Sequence, residues 1–433
     1  MKLRPSYLLG LVAVLIAAFA LLHICTGGKQ QEEDITQDTR HLRDLNATLT
    51  NEMSDTSDLA GLDRKVQNFM SKWNLQGASL SIMRNDSLVY SKGYGWADEA
   101  AGVRMSPGII LRMASVSKLV TAVGIMTLCE RGDLSLDSRV FGPEGILSDS
   151  TFTAAIKDQK YYDITVEHLL RHQGGFTVRA GDPLFSTRDL MLRNRWDTPP
   201  DQQTLLTSQL GRRLSFAPGT SQNYSNLGYL ILSMVIEKVT GESYGTWMQE
   251  NVLRRAGCRD FHIANTYYKD KFGNETRYHM QDNDPPVDEF NNSGRQVERC
   301  YGGNDIRGLS GAGAWVASSA ELARFVASID GRDEVPDILS KESIRKMTEY
   351  IDENTYSLGW NDTKPTGEWT RTGTLSGTTA LVKYYPDGEC WIFISNTGTW
   401  VGPRLGGSTA KLFRECREKY SAKLPHRDFF YID

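Results

Sequence analysis

Ser115-Val-Ser-Lys118 opens a strongly helical, apolar stretch that runs to about residue 131 and stops at Gly132. Spacing of i, i+3 puts Ser115 and Lys118 on one helical face. A helix N-terminus offers free N–H groups and a positive dipole end. It is a suitable place for a nucleophilic serine beside a lysine that can take its proton once desolvated. The pattern is weak alone. Ser343-Ile-Arg-Lys346 also matches it, and a chain of this length shows roughly one or two matches by chance. Two further segments change the weight.

Tyr224-Ser-Asn226 lies on a turn after Ala217-Pro218-Gly219-Thr220, just ahead of a helix from Leu227 to Val239 closed by Gly241. A tyrosine beside a lysine cation has a lowered pKa and can act as general base or proton relay. Standing alone, it reads as a core tyrosine followed by a capping asparagine. Arg371-Thr372-Gly373-Thr374 precedes Gly377 and a strand. Gly373 permits close backbone approach to a ligand. The N–H groups of Thr374 and Ser115 can form an oxyanion hole. Arg371 offers a fixed charge and a bidentate fork for a carboxylate, against the plainer reading of an exposed edge-strand arginine.

The three motifs come in this order with matching flanks: Gly93-Tyr-Gly-Trp-Ala-Asp98, Leu134-Ser-Leu-Asp137, Ile164 to His172 with Gly174-Gly175, Pro218-Gly219-Thr220 and Leu358-Gly359-Trp360. Together they resemble the serine β-lactamase and penicillin-binding-protein-like superfamily, in its class C β-lactamase and esterase branch. The resemblance runs from about Leu62 to about residue 420. It implies that Ser115 is the acyl-accepting nucleophile, Lys118 its proton partner and Tyr224 the general base and then acid. Asn226 would orient Lys118 or the substrate amide. Thr374 and Ser115 N–H would bind the oxyanion, with Arg371, Thr372 and Gly373 lining the substrate side. Arg371 departs from the family, which usually has Lys, His or Trp there. Arginine keeps the charge but cannot give up its proton, so it is a binding group. No Ser-Asp-Asn triplet is present, which argues against a class A mechanism.

The chain has 433 residues, with 49 basic against 53 acidic side chains, so nothing suggests nucleic acid as a partner. Lys2 and Arg4 precede an apolar run from Tyr7 to Cys25 without Asp, Glu, Lys or Arg, long enough to span a bilayer. Residues 1–25 read as a membrane anchor, with a cleaved or lipidated signal as alternatives, and all three export the body. Residues 26–57 read as a polar spacer and 58–433 as the catalytic body. The body is expected to be α+β: an antiparallel sheet from about 58–110 and 315–420, flanked by helices, with a mostly helical region at about 111–314. Helices are expected at 62–73, 166–171, 205–210, 227–239, 315–330 and 412–420, and strands at 78–83, 87–90, 378–385 and 390–395. Cys258 with Cys300, or Cys390 with Cys416, would pair if the compartment is oxidising. No metal motif and no cofactor fingerprint is found, and His168 with His172 lacks a third ligand.

These readings point to an exported serine hydrolase acting on an ester or amide of a small molecule or peptide. An acyltransferase on the same site is the alternative. A membrane-anchored penicillin-binding sensor ranks third, because only about six residues precede the apolar run.

Overall fold

A computed structural model describes residues 44–431, apart from Ala180 and residues 282–283. The anchor reading falls on residues 1–25 and lies outside them. Among the described residues no helix is long and apolar enough to cross a membrane.

Helix α1 (Ala60–Lys72) leads into strands β1 (Gly77–Arg84), β2 (Ser87–Asp98) and β3 (Val103–Arg104). Much later the chain returns as β4 (Asp362–Thr363), β5 (Trp369–Leu375), β6 (Thr378–Tyr384) and β7 (Glu389–Ser395). These form one antiparallel sheet in the order β4-β5-β6-β7-β1-β2-β3. The joint is β1 against β7, with Ala78 opposite Ser395 and Arg84 opposite Glu389. Between the two halves lie helices α2 (Ser117–Glu130), α3 (Asn226–Thr240) and α4 (Ser319–Ala327), and α5 (Leu405–Tyr420) follows the sheet.

Alternation along the strands sends side chains to two cores. Ala78, Leu80, Ile82, Leu381, Trp391 and Phe393 face the outer layer, which α1 and α5 cover. Phe69 meets Phe393 edge-on at 5.9 Å, and Phe413 lies 5.5 Å from Trp391. Ala380, Val382, Cys390, Ile392 and Ile394 face the inner layer shared with the helical region. On that face Ser79 and Ser81 each lie 2.7 Å from the Ser319 hydroxyl at the start of α4. Helix α2 is buried on every side from Ser117 to Leu128, which explains its nearly uniform apolar composition.

Several expectations are corrected. Residues 44–57, read as the end of a spacer, pack on the body. Leu45, Leu49 and Ser54 are buried, Asn46 donates to Asp260 (2.7 Å), and Asn51 accepts from Gly93 N (2.8 Å). The stretch at 315–330 is not one helix. Trp315–Ala317 is a strand, and Ser318 then caps α4 by accepting from Glu321 N. The terminal helix begins at Leu405 rather than 412. Neither cysteine pair forms, and Cys258, Cys300, Cys390 and Cys416 are buried free thiols. Cys390 and Cys416 face opposite cores across the sheet. Cys258 donates to the Glu321 carbonyl, whereas Cys300 packs in a separate small cluster with Tyr278 and Tyr301.

Candidate active site

The nucleophile turn is built where the chain leaves a short strand, Leu111–Arg112, and enters α2. Ala114 has φ 51°, a left-handed conformation that costs a non-glycine residue about 1 kcal/mol or more. It turns Ser115 out of the core: Ser115 is half-buried between buried Ala114 and Val116. Three residues on, Lys118 is fully buried. Its ammonium donates to Ser115 Oγ (3.3 Å), to Asn226 Oδ1 (2.6 Å) and to the Ala312 carbonyl. Three N–H donors meeting three acceptors suit the protonated lysine.

The start of α3 supplies the next two groups. Ser225 is its N-cap, accepting from Gly228 N, so Tyr224 and Asn226 flank the cap and turn toward Lys118. Tyr224 Oη lies 2.7 Å from Ser115 Oγ, and Lys118 Nζ sits 4.9 Å from the tyrosine ring centroid. Burial pushes the Tyr224 phenol up, but the Lys118 and Arg371 cations outweigh it and bring it below its ordinary value of 10.0. Lys118 is in turn held below 10.5, chiefly by burial, with Arg371 adding to the effect and Tyr224 opposing it.

Arg371 corrects one expectation. Its segment, read as lying before a strand, is the middle of β5, and the side chain is fully buried on the inner face. Arg371 Nε donates to the Ser115 carbonyl (2.8 Å) and Nη2 reaches Tyr224 Oη (3.4 Å), while Nη1 is buried without a hydrogen-bond partner among the described residues. Gly373, two residues on, shares that face. A Cβ there would lie 2.2 Å from the Met113 carbonyl and 3.0 Å from Ser115 N, so the β5 backbone lies directly against the nucleophile turn.

Thr372 does not line the inner site. Its hydroxyl and N–H both donate to Asn361 Oδ1 (3.1 and 2.6 Å), and it faces Gly406 of α5. The Thr372 N–H therefore leaves β5 at the edge away from β6. Thr374, two residues later, presents its N–H at that same edge, next to the Ser115 turn.

The sequence reading missed three groups. Asp182 Oδ2 accepts from Asn226 Nδ2 at 2.7 Å. Asn361 pins β5. His172, weighed only as a metal ligand, packs its ring 4.5 Å from Tyr224 and 4.7 Å from Tyr356. Burial, with Lys118 and Arg371 adding, holds His172 well below 6.5, and its Nδ1 accepts from Ser225 N. It is thus a neutral wall for the tyrosine. The family flank at Ile164–His172 was the available signal for it. The rival match at Ser343 lies on a helix whose Lys346 pairs with Glu167 and Glu349, far from any such cluster in its bonding. Among the described residues no group of three or more metal-ligating side chains is assembled. A cavity of about 170 Å³, bounded by Tyr161, Phe176, Asp182, Leu214, Ser225 and Leu227, adjoins the Asn226 side.

An antiparallel sheet packed on a helical region, with a serine, lysine and tyrosine meeting at their interface, is the layout of the β-lactamase fold. The chain belongs to the Beta-lactamase family, whose profile matches residues 62–410. Penicillin-binding protein PbpX of Bacillus subtilis (strain 168), a relative so named as putative, is 23% identical over 95% of this chain and 94% of its own length. Esterase EstB of Burkholderia gladioli is 30% identical, over 48% of this chain and 52% of its own length. Protein flp of Staphylococcus aureus (strain MW2) is 26% identical over 53% of this chain and 43% of its own. The chain thus spans about half the length of the latter two. Among solved structures, the D-amino acid amidase of Ochrobactrum anthropi SV3 superposes with a TM-score of 0.63 at 18% identity, covering 84% of this chain and 99% of the amidase. The D-alanine carboxypeptidase AmpC of Burkholderia cenocepacia gives 0.60 at 17%, covering 83% and 100%. These likenesses are of fold.

Proposed function

We propose that the protein is an exported hydrolase that cleaves an ester or amide through an acyl-enzyme on Ser115. The observation that carries this is the sharing of Ser115 Oγ between Lys118 Nζ and Tyr224 Oη, with two buried cations lowering the tyrosine's pKa. In the first step, with Tyr224 ionised to the phenolate under the Lys118 and Arg371 cations, Ser115 Oγ bonds to the substrate carbonyl carbon and its proton passes to the Tyr224 oxygen. The negative charge on the carbonyl oxygen is received by the N–H groups of Ser115 and Thr374. Tyr224 then returns the proton to the leaving alcohol or amine as the bond to the acyl carbon breaks. A water repeats the sequence in reverse roles and frees Ser115.

Arg371 acts here mainly on the enzyme: it holds the Ser115 carbonyl and acidifies Tyr224. Its unpartnered Nη1 is the group that supports a substrate carboxylate. If an alcohol or amine took the place of water at the acyl-enzyme, the same acyl group would be transferred to it.

Labelling with a fluorophosphonate and with a fluorescent penicillin, on wild type and on Ser115→Ala, tests the reading. Labelling of wild type alone is expected, and labelling that survives in the variant sinks it. A panel of p-nitrophenyl esters, nitrocefin and D-Ala-D-Ala peptides, run with and without an amine acceptor, then narrows the substrate and separates hydrolysis from transfer.

A further inference from the structure

Lys118 is a fully buried cation whose hydrogen bonds to Ser115 Oγ, Asn226 Oδ1 and the Ala312 carbonyl all end on neutral oxygens. An ammonium in that position needs compensation. The groups facing it are Tyr224, the Tyr229 ring (5.5 Å), the neutral His172, the Arg371 cation and Asp182. Asp182 is the one carboxylate in that set, and it reaches Lys118 through Asn226. Asn226 Oδ1 accepts from Lys118 at 2.6 Å and its Nδ2 donates to Asp182 Oδ2 at 2.7 Å. The two neighbours demand opposite ends of the amide, so each reinforces the orientation the other requires. The carboxylate is itself fixed, because Oδ1 accepts from Leu184 N (3.0 Å) and caps the turn Pro183–Phe185.

We infer that Asp182 is a positioning residue for the acylation step: through the Asn226 amide it supplies the counter-charge that holds Lys118 as an ammonium against Ser115 and Tyr224. This rests on the acyl-enzyme reading above. It assigns a role to a residue that no motif contains, and it gives Asn226 a defined one, as the coupler of two charges rather than a contact to substrate.

The consequence is measurable in the pH profile. Lys118 and Tyr224 titrate as a coupled pair, and the acid limb of kcat/KM reports loss of one proton from that pair. Removing the Asp182 charge removes an anion that favours the protonated pair, so the limb moves to lower pH. A carboxylate that merely capped its own turn would leave the limb in place.

The experiment measures pH profiles of Ser115-dependent acylation by a fluorophosphonate for wild type, Asp182→Ala and Asp182→Asn. For Asp182→Ala, a limb at lower pH and a roughly ten- to hundredfold slower acylation are expected. Asp182→Asn keeps a carbonyl acceptor for Asn226 Nδ2, so it should recover part of the rate while the limb stays displaced. It also carries the test if Asp182→Ala fails to fold. An unmoved limb in the folded variants overturns the proposal, whatever their rates. Wild type that is not labelled at Ser115 overturns the underlying reading instead, and the two failures are told apart by that first arm.

Discussion

The two faces of the central sheet both bury charge, and they handle it in opposite ways. On the outer face Glu389 is surrounded by donors: Arg84 (2.8 Å), Arg417 (2.9 Å), Trp391 Nε1 (3.0 Å) and the Ser421 hydroxyl. Burial raises its carboxyl, but these four donors more than offset that and hold it below 4.5. On the inner face Lys118 and Arg371 are wholly buried, side by side, and their hydrogen bonds end on carbonyls and hydroxyls rather than carboxylates. The outer cluster is what a fold does with charge that it must bury. The inner one gives its cations no direct carboxylate, Lys118 meeting Asp182 only through Asn226, and the result is a tyrosine and a lysine with displaced proton affinities beside a serine.

The contrast can be broken most severely at Lys118. Lys118→Met should slow acylation roughly 10³-fold while leaving Tm unchanged or raised, because a buried cation with no directly paired carboxylate is replaced by an apolar chain of similar length. A large drop in Tm would show that the indirect link to Asp182 stabilises the fold as strongly as a direct ion pair. On the outer face, Glu389→Gln should do the reverse. Leaving Arg84 and Arg417 without their carboxylate costs about 3 kcal/mol in denaturant titrations, with the kcat/KM of the folded fraction unchanged.

A third prediction concerns the pH profile of wild type. Lys118 and Tyr224 both sit below their ordinary values of 10.5 and 10.0. Activity should therefore rise with pH and level off before an unperturbed tyrosine would ionise. Arg371→Leu should move that limb upward, since a cation that favours ionised Tyr224 is lost.

The smallest effect is in stability. At the far end of the sheet Asp86 is raised from 3.8 to about 8 by burial and by Asp330, so the folded chain holds a proton that the unfolded chain releases near pH 4. The folded state binds more protons in that window, so stability falls as pH rises from about 4 to 8. Asp86→Asn should flatten this slope in thermal melts taken across the range.

The sequence made the nucleophile helix legible because i, i+3 spacing at the start of an apolar segment stopped by Gly132 is a local signal. Tyr224 and Gly373 were legible through motif order. Burial of Arg371 was not. In Thr370-Arg371-Thr372-Gly373-Thr374-Leu375 the strand period was present. The period alone does not say which face is buried, so an exposed edge-strand arginine stayed the plainer reading, whereas Arg371 shares the inner face with Gly373 and Leu375 and the three threonines are half-exposed on the other. Asp182 and Asn361 were illegible for a different reason: their partners are 44 and 11 residues away in sequence and meet only through the tertiary fold. The cysteine pairing failed likewise, since residue spacing does not reveal on which side of a sheet a thiol lies.

The joint between β1 and β7 has a temporal meaning. Residues that pair there are separated by some three hundred positions, so the sheet has no local nucleus for that step and is slow to close. Arg371, which clamps the Ser115 carbonyl, arrives on the late half. A ribosome has therefore already made the nucleophile and its helix long before the strand that arms them exists, and a partly synthesised chain carries the serine in an unreactive setting.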